Sequence, residues 1–191
     1  MTNRQTDAHE HATAPGALGL VHAFLNTWHA DGPRERFDSP ERTQDWLVKR
    51  TLIAPDAPFL RKEFEAVRHF RDMLRGLVGA DTDTVQSALP GQLNEFGRKA
   101  PLAVRFDTAG RPALVPAGSG VPAALGRILA AIMAGEAEGT WSRLKRCGNA
   151  ECQRVFYDTS KNRSAVWCSS QRCGNRMAAR AYRARAQDTR D

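Results

Sequence analysis

The sequence predicts an α+β protein: a mainly helical N-terminal domain carrying one β-hairpin, followed by a small C-terminal module of treble-clef or ribbon-like build. Three observations carry this expectation. Apolar residues recur at helical spacing along most of the first 140 positions. The period changes once to strand-like alternation, on either side of the turn "DTAGRP". All four cysteines lie between 147 and 173, in two pairs of equal spacing.

The elements follow in order. "MTNRQTDAHEHATAPG" lacks the apolar core of a secretory signal and reads as a disordered tail, residues 1–16. From Ala17, "ALGLVHAFLNTWHA" sets Leu18, Val21, Leu25 and Trp28 on one helical stripe. "DGPRERFDSP" is turn chemistry, and the next helix starts with Ser39 as N-cap and Pro40 at its first position. A longer helix over "DAPFLRKEFEAVRHFRDMLRGLVGA" aligns Phe59, Leu60, Phe64, Val67, Phe70, Leu74 and Leu77. "TVQSALPGQLNEFGRK" predicts a shorter helix interrupted at Pro90, and "LAVRFDTAGRPALVP" a β-hairpin. "VPAALGRILAAIMAGEAEG" returns to helix and stops at Gly139. This last run is the most apolar, but Arg127 breaks it and it is too short for a membrane span. The expected units are residues 17–140 and 141–187, and no 20–50-residue repeat suggests a solenoid or propeller.

With 41% hydrophobic and 26% charged residues in 191, the composition is that of a folded, soluble and cytoplasmic protein. The net charge of +7 is unevenly placed. Residues 141–191 hold twelve Lys or Arg against four Asp or Glu, whereas residues 1–140 hold sixteen against seventeen. The basic character therefore belongs to the C-terminal module.

Cys147 and Cys152 are separated by four residues, Cys168 and Cys173 by four again, and fifteen lie between the pairs. Two short turns, each bringing a pair of soft ligands, can close a tetrahedral zinc site. Two disulfides or free core thiols are the alternatives, and a reducing cytosol disfavours the disulfides. A thioredoxin-like redox pair would have a two-residue gap. The residues between the pairs suit a hairpin, "RVFY" outward, "DTSKNRS" as turn and "AVWC" back, on which Met177, Ala178, Ala181 and Tyr182 of a following helix would pack. So small a unit would draw much of its stability from the metal.

"RLKRCGNAECQRVFYDTSKNRSAVWCSSQRCGNRMAARAYRAR" resembles the CGNR zinc finger, the signature tetrapeptide being Cys173-Gly174-Asn175-Arg176. Upstream, "LNTW" with the later "DWL" and "QLNEF" resembles the ABATE domain of stress-induced transcription regulators, which commonly precedes this finger. The resemblance implies a DNA-binding regulator of the stress-response type, with Zn2+ as cofactor and an N-terminal domain that senses or dimerises.

A partner for the basic module follows from spacing. On a helical wheel Arg172, Arg176, Arg180 and Arg183 fall within about 80° of one another, provided the helix begins early enough to include Arg172. Such a face repels itself unless something anionic meets it, and nucleic-acid phosphate is the commonest such partner. Lys161, Asn162 and Arg163 in the "DTSKNRS" turn would add backbone contacts, while Asn175 would cap or brace the helix start. Double-stranded DNA is the expected partner, with a homodimer and a small-molecule signal at the N-terminal domain as further partners. The alternative is an RNA-binding or protein-binding zinc module. An enzyme fits less well, because four cysteines close the metal and leave no open position, and no catalytic set is visible. The pair His22 and His29 lacks nearby cysteine, and "HEH" at 9–11 lacks a metalloprotease spacing.

Overall fold

A computed structural model of the chain describes residues 12–30, 35–78 and 89–188. The "HEH" run, most of the N-terminal tail and the first part of "TVQSALPGQLNEFGRK" lie outside the described residues. Helix α1 spans Leu18–Leu25 and ends before the expected Trp28. Its last carbonyls are taken by side chains: Asn26 Nδ2 donates to the His22 carbonyl at 3.2 Å, and the Thr27 hydroxyl donates to the Phe24 carbonyl at 2.8 Å. Polar side chains that satisfy the backbone in this way end helices. Trp28 then forms a β-bridge with Glu35.

Helix α2, Pro40–Lys49, starts as its sequence predicts, with the Ser39 hydroxyl accepting the Arg42 N–H. Helix α3, Arg61–Leu77, starts later than its apolar stripe suggests. The Glu63 carboxylate accepts the Leu60 N–H at 3.0 Å and fixes the helix start there, leaving Leu60 61% exposed. Helix α4, Leu89–Lys99, carries Pro90 in its first turn rather than as an interruption, where the missing N–H costs nothing. Strands β1, Leu102–Phe106, and β2, Pro112–Pro116, form the expected hairpin, with Leu102 opposite Pro116 and Phe106 opposite Pro112. Helix α5, Gly120–Ala137, stops at Gly139, whose φ of +66° lies where glycine alone is unstrained. With 18 residues, α5 has the length and mean apolarity of a membrane span, contrary to the sequence expectation. It serves as a core helix, with Val121, Ala124, Leu125, Ile128 and Ala131 buried.

The core is aromatic at its centre: Phe24 packs against Phe37, Trp46 and Phe70 at ring-centroid distances of 6.0, 5.9 and 6.2 Å. Val21, Leu25, Leu47, Val67 and Leu74 close around them. Each fully buried side chain of this size contributes about 1.5–3 kcal/mol.

The C-terminal hairpin differs from the one read in the sequence. Strand β4, Val155–Tyr157, pairs antiparallel with β3, Leu144–Arg146, and not with residues 165–168. The Cys147 N–H donates to the Arg154 carbonyl at 2.8 Å, extending the ladder so that Cys147 and Cys152 sit in its turn. Leu144 and Val155 belong to the same buried cluster as α1, α3 and α5, with Tyr157 packed against it. The apolar side of this hairpin is thus covered by the helical unit.

Polar contacts lock the same junction. Asn26 treats Val155 as a strand neighbour would: its Oδ1 accepts the Val155 N–H at 3.0 Å and its Nδ2 donates to the Val155 carbonyl at 2.8 Å. His22, buried on α1, shares that carbonyl through Nε2 at 3.0 Å, and burial lowers its pKa, which favours the neutral ring. The Ala30 N–H donates to the Cys152 carbonyl at 3.0 Å. Arg75 donates to the carbonyls of Leu25, Trp28 and Gln153 at 2.6, 3.0 and 2.7 Å. Burial, and then the charges of Arg71 and Arg146, depress its pKa to about 10, still charged at neutral pH. Neighbouring Arg71, 1% exposed, is held by both oxygens of Glu35 at 2.6 and 2.8 Å. Replacing Asn26 with Ala leaves the Val155 N–H without its partner and the Val155 carbonyl with His22 alone, and should cost about 1–3 kcal/mol. Urea unfolding of the full chain measures it; a loss under about 0.5 kcal/mol would contradict the role assigned to Asn26.

Candidate metal centre and basic helix

The two cysteine pairs reach the centre by different local structures. Cys147 and Cys152 flank the turn between β3 and β4, which Asn149 shapes from within. Its carbonyl accepts the N–H groups of Cys152 and Gln153 at 2.8 and 3.0 Å, and its Oδ1 accepts the Glu151 N–H at 3.1 Å. Asn149 is fully buried, and its Nδ2 points to Cys173 Sγ at 3.7 Å. Cys168 precedes a single π-helical turn, Ser170–Gly174, which contains Cys173 and leads into helix α6, Asn175–Asp188. The Ser169 hydroxyl caps it by accepting the Arg172 N–H at 3.2 Å. Ser169 thereby takes the role expected of Asn175, which has helical backbone angles and an exposed side chain.

Two glycines allow a close approach. A Cβ on Gly148 would meet Trp167 and Val166 at 3.0 Å each, and one on Gly174 would meet Trp167 at 3.3 Å. Trp167 is thus clamped between the two ligand-bearing turns.

All four sulfurs lie within 4.8 Å of one another. Cys152 and Cys173 each stand near Cys168, at Sγ–Sγ distances of 3.6 and 3.7 Å. Tetrahedral zinc with Zn–S bonds of about 2.3 Å needs sulfur–sulfur edges of about 3.8 Å, whereas a disulfide needs about 2.05 Å. The four cysteines are free thiols, and the cluster fits a metal ion. The N–H of Cys168 donates to Cys147 Sγ at 3.5 Å, and with Asn149 it supplies the N–H···S contacts that steady thiolate charge. Without a metal, hydrogen bonds from Cys152 and Cys168 hold Cys147 far below the usual thiol range. Those two thiols, donating to Cys147, are pushed well above that range.

The loop after β4 is built around Asp158, whose side chain is buried. Burial alone would raise its pKa, but hydrogen bonds from Lys145, at 2.7 Å, and from the N–H groups of Ser160 and Ala165 more than offset this and hold the carboxylate well below its ordinary range. Arg143 donates to the carbonyls of Asp158 and Ser160 at 2.9 and 3.1 Å. This frame presents Lys161, Asn162 and Arg163 exposed, with the Arg163 guanidinium 3.3 Å from the Ser142 hydroxyl.

Residues 18–138 match the family model "Putative stress-induced transcription regulator" (ABATE), and residues 143–186 match the CGNR zinc finger. The chain belongs to the ABATE family. No curated protein matches it. Neither family is an enzyme family, and among the described residues the four cysteines are the one cluster of His, Cys, Asp or Glu able to hold a metal.

In the CGNR finger α6 projects from the metal cluster. Arg172, Arg176, Arg180 and Arg183 are all exposed. The last three share α6 at spacings of four and three residues, while Arg172 lies in the wider π turn, which moves it off the regular wheel. Arg180 pairs with Glu151 of the cysteine turn, and its hydrogen bond and charge, aided by Arg176, lower the pKa of that carboxyl. The apolar side expected to pack on the hairpin does not do so. Met177 is half-buried, Ala178 and Ala181 are exposed, and Tyr182 is 69% exposed, because α1 already covers the hairpin.

Asn149 and Asp158 were not singled out from the sequence, although "CGNAEC" and "YDTS" each carry the Asx-turn signal, an Asn or Asp positioned to accept an N–H two residues on. Metal uptake must displace the protons of Cys152 and Cys168, so affinity falls as pH falls. A weakly buffered titration of the metal-free chain at pH 7 should register at least two protons released per metal. Release near zero would contradict the protonation pattern of the cluster.

Proposed function

We propose that this chain is a transcription regulator whose finger, held by one zinc ion on Cys147, Cys152, Cys168 and Cys173, grips double-stranded DNA through α6. Zinc, when bound, supplies a crosslink between the two cysteine turns and no reaction. The observation that carries the reading is a basic helix exposed along its length and anchored at one end by the cluster. A helix so placed can enter a major groove, which has the width to admit one.

Arg176, Arg180 and Arg183 are the groove-facing set, suited to bidentate contacts with guanine or phosphate. Arg172 at the π turn, with Lys161 and Arg163 on the Asp158-framed loop, contacts the backbone and sets orientation. In the free protein Glu151 occupies Arg180. A phosphate offers the guanidinium a stronger partner than an exposed carboxylate does. One short helix reads few base pairs, so a homodimer would supply specificity by repeating the contact at a second half-site. The N-terminal unit is the sensing part, and its hold on the strand next to Cys152 gives it a route to the finger.

Selection from random duplexes identifies the site, and binding to it is then measured against salt. Arg180→Ala should reduce the slope of log affinity against log salt by about one unit, while Arg180→Lys keeps it. An unchanged slope in Arg180→Ala would remove this residue from the interface, and failure to enrich any duplex would remove double-stranded DNA altogether.

A further inference from the structure

A cleft of about 970 Å³ opens between the α2–α3 loop, the β1–β2 hairpin and the start of α5. Its volume lies at the upper end of the range of about 300–1,000 Å³ that holds organic ligands. Leu52 and Ile53, each 6% exposed, lie at its base, and Val115 and Pro116 line the hairpin side. Its wall is thus part apolar and part polar.

Its charges are few and converge from separate elements. Arg105 comes from β1 and Arg127 from α5, against Asp56 alone, leaving a net charge of one positive unit. Arg127 reaches across to the Thr51 carbonyl at 2.5 Å through Nη1, tying the α2–α3 loop to α5. Thr51 itself sits at a φ of +55°, a strained position for a β-branched residue, with its N–H bonded to the Val48 carbonyl at 2.8 Å. Ser119 also lines the cleft, and although it holds the N-cap position of α5 its side chain caps no N–H. Its hydroxyl is left for another partner.

We propose that this cleft binds a small organic monoanion, a single carboxylate on an apolar body. The apolar base takes the body, and Arg105 and Arg127, with the Ser119 hydroxyl, take the carboxylate. The net charge decides the class: one negative charge balances the lining, whereas a phosphate dianion would leave an uncompensated charge beside the apolar base. That such a molecule is the regulator's signal rests on the function proposed above. Binding itself does not.

The test is an NMR titration of the full zinc-loaded chain with octanoate, and separately with octylamine. Octanoate should shift amides of residues 51–58 and 118–127 saturably, octylamine should not, and Arg105→Gln should weaken octanoate about tenfold or more, as loss of a charge-assisted hydrogen bond does. Arg105 is exposed, so the variant keeps the strand, and its spectrum reports its folding directly. Equal binding of octylamine, octanoate shifts spread elsewhere or never saturating, or unchanged affinity in Arg105→Gln would each overturn the proposal. If octanoate binds as expected but leaves DNA affinity unchanged, the site stands and its role as the signal fails.

Discussion

Four sulfur atoms gathered within 4.8 Å of one another are the constraint on which the C-terminal module depends. Thiols alone gain little from such crowding, and four thiolates would repel strongly in so small a volume. The arrangement is stable when a cation draws the four together, and everything local serves that end. Asn149 bends the first turn, the π turn delivers Cys173, and glycines at 148 and 174 admit Trp167 between the two. The module's own cluster of buried residues is small, so a metal adds to the stability it draws from docking on the helical unit.

The centre does not stand apart from the helical unit. Val155, three residues after Cys152, is buried in the main core and bonded on both backbone groups by Asn26. The Cys152 carbonyl accepts from Ala30, and the next carbonyl accepts from Arg75. Arg75 in turn lies beside Arg71 and its Glu35 partner on the inner side of α3. A change in the packing of α1 against α3 therefore reaches β4, the strand that follows Cys152, without crossing a flexible linker. This is the physical basis on which the sensing and DNA-gripping roles proposed above would act together in one molecule.

Much of this was legible from residue types alone, and the remainder was not for definite reasons. Ser39 and Pro40 announce α2 because capping is local, and cysteine spacing announces the metal centre because two turns must meet one ion. The partner of β4 was missed because "LKR" carries no strand signature; its pairing is imposed by the core that buries Leu144 and Val155. The same burial explains α6: the sequence offered Tyr182 and Met177 a hairpin to rest on, but α1 had already covered it. His22, Asn26 and Arg75 act on backbone atoms more than 75 positions away in sequence, a relation that no local pattern encodes.

The central claim is that these four sulfurs share one zinc ion, and zinc K-edge X-ray absorption on the purified full chain tests it most directly. The account predicts about one zinc per chain with four sulfur neighbours at about 2.3 Å. Nitrogen or oxygen among the nearest neighbours, or a folded chain containing no metal, would contradict it.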